Sequence, residues 1–138
     1  MRLWGSAGQA DAVLAECRAW LPVEHVIVYN VSGADDSQVE AMMARGREVL
    51  AAIPGVRRVF TGWSVTEGAK YRFCWLVQFA HENVIATYRD HPDHAAFANE
   101  LFRPIAGDRI SIDFAGVGDD VAYESTIPFR AKGDEGIN

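Results

Sequence analysis

The sequence predicts one α+β domain of ferredoxin-like order, β-α-β-β-α-β, with a further helix ahead of it. Three observations lead there. Runs rich in β-branched and aromatic residues alternate with stretches whose apolar positions recur every three or four residues, in the order helix, strand, helix, strand, strand, helix, strand. Glycine, proline and small polar residues stand at the joints. With 138 residues the chain is long enough to bury one core and too short for two.

The elements follow in order. Ala10, Val13, Leu14, Cys17, Trp20 and Leu21 share a helical stripe over residues 8 to 20, ended by Pro22. "EHVIVYNV" at 24 to 31 reads as a strand closed by the turn residues "SGADDS". Residues 37 to 53 then set Val39, Met42, Met43, Val49, Leu50 and Ile53 mostly on one face of a helix that Pro54 and Gly55 stop. Strands at 56 to 65 and 71 to 80 form a hairpin through "TEGA". Helical patterning runs from His81 to Arg89, breaks near Pro92 and resumes from His94 to about Ala106, and "RISIDFAGV" at 109 to 117 is the last strand. Residues 1–22 are thus a helical extension, 23–117 the central domain, and 118–138 an arm anchored by Val121, Tyr123, Ile127 and Phe129 with a frayed end.

Composition narrows the function. A net charge of −6 and a pI near 5.1 speak against nucleic acid or an anionic membrane as partner, since both need a basic face. No run reaches the roughly 18 apolar residues of a membrane span, and the N-terminus has no continuous apolar core of a secretion signal. Cys17 and Cys74 are too few for a disulfide framework and read as buried free thiols in a reducing, cytoplasmic protein.

The strands are apolar on both faces. Phe73, Trp75, Val77 and Phe79 share one side of the third strand with Tyr71, while Cys74 and Leu76 lie on the other. On the first strand His25, Ile27 and Tyr29 oppose Val26 and Val28. Helices cover one face of such a sheet, and a second copy of the chain is the simplest cover for the other, which predicts a two-fold homodimer with a barrel-like interior.

One short stretch carries candidate chemistry. "YRDHPDH" at 88 to 94 holds two of the four histidines, and Pro92 forces a turn at His91 that lets Tyr88 and His94 point to one side. Asp90 or Asp93 is the expected cap of the new helix. A neutral imidazole takes and gives protons near pH 7, and a tyrosine hydroxyl holds an enolate oxygen, so the pair suits proton abstraction beside a carbonyl. The plainer alternative has both histidines bonded to backbone at the break. His91, Asp93 and His94 lack further ligands for a metal, and His81 reads as exposed or capping. The acids of "SGADDSQVE" lack calcium-loop spacing and read as helix caps, and no phosphate-binding or dinucleotide motif occurs.

"VEHVIVYNV", "AAIPGVRRVFTG", "YRFCWLVQF", "YRDHPDHAAF" and "DRISIDFA" together resemble the stress-responsive A/B barrel (Dabb) family over about residues 23 to 115. The most specific of these is Y-x-x-H-P-x-H. The resemblance implies a dimeric α+β barrel, and in the family's cyclase branch it implies an acid/base pair that maps to Tyr88 and His94, without metal or organic cofactor. A pocket-lining first-strand histidine maps to His25. Where that branch has a third-strand histidine this chain has Phe73, beside Trp75, which implies a smaller, more aromatic pocket. The expected barrel pocket is lined by His25, Ile27, Tyr29, Phe73, Trp75, His91 and Phe97.

Three readings of function result. The first is a homodimer binding a small apolar or aromatic molecule, in a stress-related role. The second is a cofactor-independent, polyketide cyclase-like lyase with His94 as base and Tyr88 as oxyanion partner. The third is a structural assembly protein without pocket chemistry.

Overall fold

The computed structural model describes residues 21–117. The predicted N-terminal helix with Cys17 and Trp20, and the C-terminal arm, lie outside the described residues. The rest forms β1 (Val23–Val31), α1 (Asp36–Ala51), β2 (Val56–Trp63), β3 (Phe73–Phe79), α2 (Val84–Asp90), α3 (Pro92–Phe97) and β4 (Ala106–Ala115), with a π-helical turn at Ala98–Phe102 before β4. The strands make one antiparallel sheet of order β2-β3-β1-β4, the ferredoxin-like arrangement. Among the described residues no helix is long and apolar enough to cross a membrane.

Local chemistry sets the joints. Asp35 caps α1 through a reciprocal box: its carboxylate accepts the Gln38 N–H at 2.8 Å, and the Gln38 side chain accepts the Asp35 N–H at 2.8 Å. After α1 the chain turns at Gly55 with φ of 90°, and a side chain there would strike Val84.

Helix α1 buries Val39, Met42, Met43, Gly46 and Leu50 against the sheet. At Gly46 the helix lies directly on the aromatic core, because a Cβ built there falls 2.3 Å from the Trp75 ring and 2.6 Å from Phe97. Helix propensity alone would make Gly46→Ala stabilising by about 1 kcal/mol. Overpacking against two rings opposes that by about 1–3 kcal/mol, so the variant is expected to unfold at lower urea concentration than the wild type. A higher midpoint would show that α1 does not lie this close.

The two faces of the sheet differ. Phe73, Trp75, Val77 and Phe79 face the helices and are buried, together with Tyr29. On the opposite face Val26, Val28 and Leu76 are half-buried, and so is Cys74, which corrects its expected burial. Phe60, Ile110, Ile112 and Phe114 share that face and are exposed, from 44% at Ile110 to 53% at Phe114. Strand β4 is therefore inverted relative to a solvent-facing strand: Arg109, Ser111 and Asp113 point toward the helix layer while its large apolar side chains point away.

Other differences have local causes. The helix expected to reach Ala106 ends early, because the turn at Ala98–Phe102 widens to π geometry and β4 begins at Ala106. His81 is only 6% exposed, which corrects the exposed reading, and its Nδ1 accepts the Asn83 N–H at 3.0 Å at the entry to α2, in keeping with the capping one.

Candidate functional site

The site begins at the break between α2 and α3. His91 is extended, with φ −65° and ψ 133°, as a residue before proline prefers, and Pro92 opens α3 at its first position. In an unbroken helix the Arg89 carbonyl would accept the Asp93 N–H, four residues on. Here the imidazole of His91 takes that N–H at 3.1 Å, so His91 is the cap that sequence reasoning assigned to Asp90 or Asp93. The Arg89 carbonyl, released from the ladder, meets His94 Nδ1 at 3.0 Å. One histidine frees the acceptor and the other uses it.

That bond fixes a tautomer. A carbonyl only accepts, so Nδ1 of His94 carries the proton and Nε2 keeps its lone pair. Burial is the main force lowering the His94 pKa below 6.5; the Arg89 carbonyl opposes it, and charge on His25, Arg103 and His91 adds to the lowering. Tyr88 shifts the other way: burial first, and the Asp113 carboxylate second, hold its phenol well above the ordinary range. Near neutral pH the pair is a base beside an un-ionised hydroxyl, with ring centroids 4.4 Å apart.

The lowered His94 pKa makes stability depend on pH. The unfolded chain protonates this imidazole near pH 6.5 and the folded chain only at lower pH, so acidification through that window favours the unfolded state. The wild-type melting temperature is therefore expected to drop faster than that of His94→Gln as pH falls below 6.5. Parallel pH curves for the two proteins would contradict the shift.

A cavity of about 340 Å³ lies between the sheet and this helix break. Its walls include Tyr88 and His94 from the helices and His25 and Ile27 from β1, with Phe79, Ile85 and Phe102 as apolar floor. A smaller recess of about 30 Å³ shares Ile27, Tyr88, His94 and Phe102 and adds Trp75 and Phe97. The cavity is thus on the helix side of the sheet, within one chain. The aromatic face of β3 turns toward its own helices and contributes Trp75 to the recess.

Sequence-chosen residues divide accordingly. His25, Ile27, Tyr88 and His94 meet at the cavity, and Trp75 and Phe97 reach its recess. Tyr29 and Phe73, 0% and 2% exposed, are packed core and line neither space. They were expected as pocket walls, but Tyr29 lies edge-on to Phe102 and tilted on Phe73, which fills that end of the sandwich. His91 also stays off the walls, its ring engaged in the cap.

Sequence reasoning missed Asp113 and the arginines. Register sets His25 opposite Asp113, and its Nδ1 lies 2.5 Å from the carboxylate, fixing the ring beside Tyr88 at 6.0 Å between centroids. Arg89, Arg103 and Arg109 complete the wall. Arg103 is there because of the π turn: at about 3.6 residues per turn it would point away from Ala98, five residues earlier, whereas its N–H here bonds the Ala98 carbonyl at 2.8 Å and both line the cavity. Among the described residues no three His, Cys, Asp or Glu side chains gather as metal ligands would.

Residues 23–115 match the model of the stress responsive A/B barrel domain family. Among solved structures the chain is similar to a Dabb family protein with a ferredoxin-like fold from Mesorhizobium loti, at 24% identity and TM-score 0.64, covering 71% of this chain and 99% of that one. It is also similar to a dimeric ferredoxin-like protein of unknown function from Thermobifida fusca, at 26% identity and TM-score 0.61, covering 69% and 91%. A hydroxynitrile lyase from Passiflora edulis shares the fold, at 12% identity and TM-score 0.63, covering 75% and 99%. The comparison with curated proteins found no match.

Proposed function

Because the chain belongs to the stress responsive A/B barrel domain family, we propose that it is a homodimer whose protomers each bind a small aromatic or apolar molecule in the cavity and move a proton on it without a cofactor. The observation that carries this is the His94 tautomer. Its Nδ1–H is committed to the Arg89 carbonyl, which leaves Nε2 as the basic atom, and the Tyr88 hydroxyl is kept protonated beside it.

In the proposed step Nε2 of His94 removes a proton from carbon next to a ligand carbonyl, and the Tyr88 O–H donates to the enolate oxygen that forms. The electron pair of the broken C–H bond becomes the enolate. His25, held by Asp113, borders the same space and completes its polar wall. The proton then returns to carbon or to a leaving oxygen, as in isomerisation, aldol closure or lyase chemistry. One structural neighbour is named a hydroxynitrile lyase, so this fold accommodates lyase chemistry.

The open cavity weighs against a structural assembly role, which would be served by a filled interior. Dimerisation is supported by the exposed apolar face of the sheet and by a neighbour described as dimeric. The test is deuterium exchange: the protein is incubated in D₂O with aryl methyl ketones and β-keto acids, and loss of the signal of the carbonyl-adjacent proton is followed by NMR. Exchange no faster than in buffer for every member would remove the proton-transfer reading while leaving ligand binding to be judged by titration.

A further inference from the structure

We infer that the ligand carries a carboxylate, as an aryl or medium-chain organic acid does, and that Arg103 and Arg109 receive it; this rests on the reading of the cavity as a ligand site. The first observation is charge. In a chain of net charge −6, the cavity lining gathers Arg89, Arg103 and Arg109 against a single carboxylate, Asp113. Asp113 is already engaged by His25 at 2.5 Å, so the lining keeps a cationic excess.

The second observation is pairing. Arg58 and Arg72 form ion pairs with Glu24 and Asp36, and Arg89 contacts Asp90 at 3.4 Å. Arg103 instead donates to the neutral amide oxygen of Asn99, and the Arg109 guanidinium lies 5.8 Å over the Phe102 ring. Among the described residues neither is in an ion pair with a carboxylate. A guanidinium fork matches a carboxylate with two parallel N–H bonds, and the Phe102 face beside it suits the apolar body of the same molecule.

The third observation is order along the wall. Arg109, Ser111 and Asp113 alternate on β4 and all face the cavity. At about 3.4 Å per residue, Arg109 and Asp113 stand roughly 14 Å apart along the strand. The β4 row therefore has Arg109 at one end and the His25–Asp113 pair at the other, with Ile27 and Phe102 as apolar floor, and Arg103 borders the space from the helix side, close enough to His94 to lower its pKa. A carboxylate at the first end directs the rest of the molecule across the floor toward His94 and Tyr88.

The experiment is a calorimetric titration of the full chain with 3-phenylpropanoate, 4-hydroxybenzoate and octanoate, each beside its methyl ester, and with phenyl phosphate. At least one acid is expected to bind about tenfold or more tightly than its ester. Arg103→Gln and Arg109→Gln should each erode that preference, and the double variant should abolish it with ester affinity unchanged. Both side chains are exposed, so the variants should melt like the wild type. Equal affinity for acids and esters overturns the carboxylate assignment and leaves the cavity reading standing. A phosphate preferred over every acid, or an acid preference that survives the double variant, overturns the assignment too. Failure of all compounds to bind removes both the cavity reading and this inference.

Discussion

His94→Ala is expected to slow carbonyl-adjacent proton exchange by roughly 10²- to 10⁴-fold, the usual worth of a positioned general base, while ligand affinity changes little. The expectation follows from where the proton sits. The Arg89 carbonyl occupies Nδ1, so Nε2 is the only basic atom the ring can offer, and His25 is held by Asp113. Tyr88→Phe keeps the ring that packs 4.8 Å from Phe79 and loses only the hydroxyl, so it should lose roughly 10²- to 10³-fold in rate with the fold intact. An acid limb in the rate profile with its midpoint below 6.5 should accompany the wild type, since protonating His94 removes the base. Equal rates for wild type and His94→Ala would assign the chemistry elsewhere.

A single charge on the open sheet face is expected to abolish dimerisation. In a two-fold interface each substitution occurs twice, so Ile112→Asp would bring two uncompensated carboxylates into the packed layer. An unpaired buried charge costs several kcal/mol, and two of them should weaken the dimer by about a thousandfold or more. Sedimentation velocity of the wild type at micromolar concentration should give the dimer mass and Ile112→Asp the monomer mass. The exchange rate per protomer should persist in the monomer as long as it stays folded, because every cavity residue named above comes from one chain. A monomeric wild type would refute the assembly, and a dimeric Ile112→Asp would place the contact on another surface.

The fold was legible because its signals are local. Runs of β-branched and aromatic residues marked the strands, threefold and fourfold spacing marked α1, and Pro92 marked the break. Tyr88 and His94 could be found for the same reason, lying six residues apart around a proline. Asp113 could not, because its partner His25 is 88 residues away and their meeting depends on the register of β1 against β4.

Strand β4 also misleads in isolation. Arg109, Ser111 and Asp113 look like a solvated edge, and Ile110, Ile112 and Phe114 look like core, whereas the polar set borders the cavity and the apolar set lies open. The available signal was pairing by parity: β1 presents His25 and Ile27 to the helices, and the residues opposite them are Asp113 and Ser111. Tyr29 and Phe73 lie off the cavity for a related reason, since sharing a face with His25 does not decide how far along the strand the cavity extends. Arg103 depends on a π turn that no residue pattern in 98 to 102 announced.

The group that orients His94 belongs to the main chain, and this bears on how the protein can change over evolutionary time. A base oriented by a neighbouring carboxylate side chain can lose its partner through one nucleotide change. Here every residue type at position 89 supplies the same carbonyl, so drift at that codon leaves the imidazole tautomer untouched. The vulnerable codon is that of Pro92, which blocks the helical register in which Asp93 would reclaim the carbonyl. A saturation scan scored by proton exchange should therefore show tolerance at 89 in this respect and sensitivity at 92, a residue that does not line the cavity.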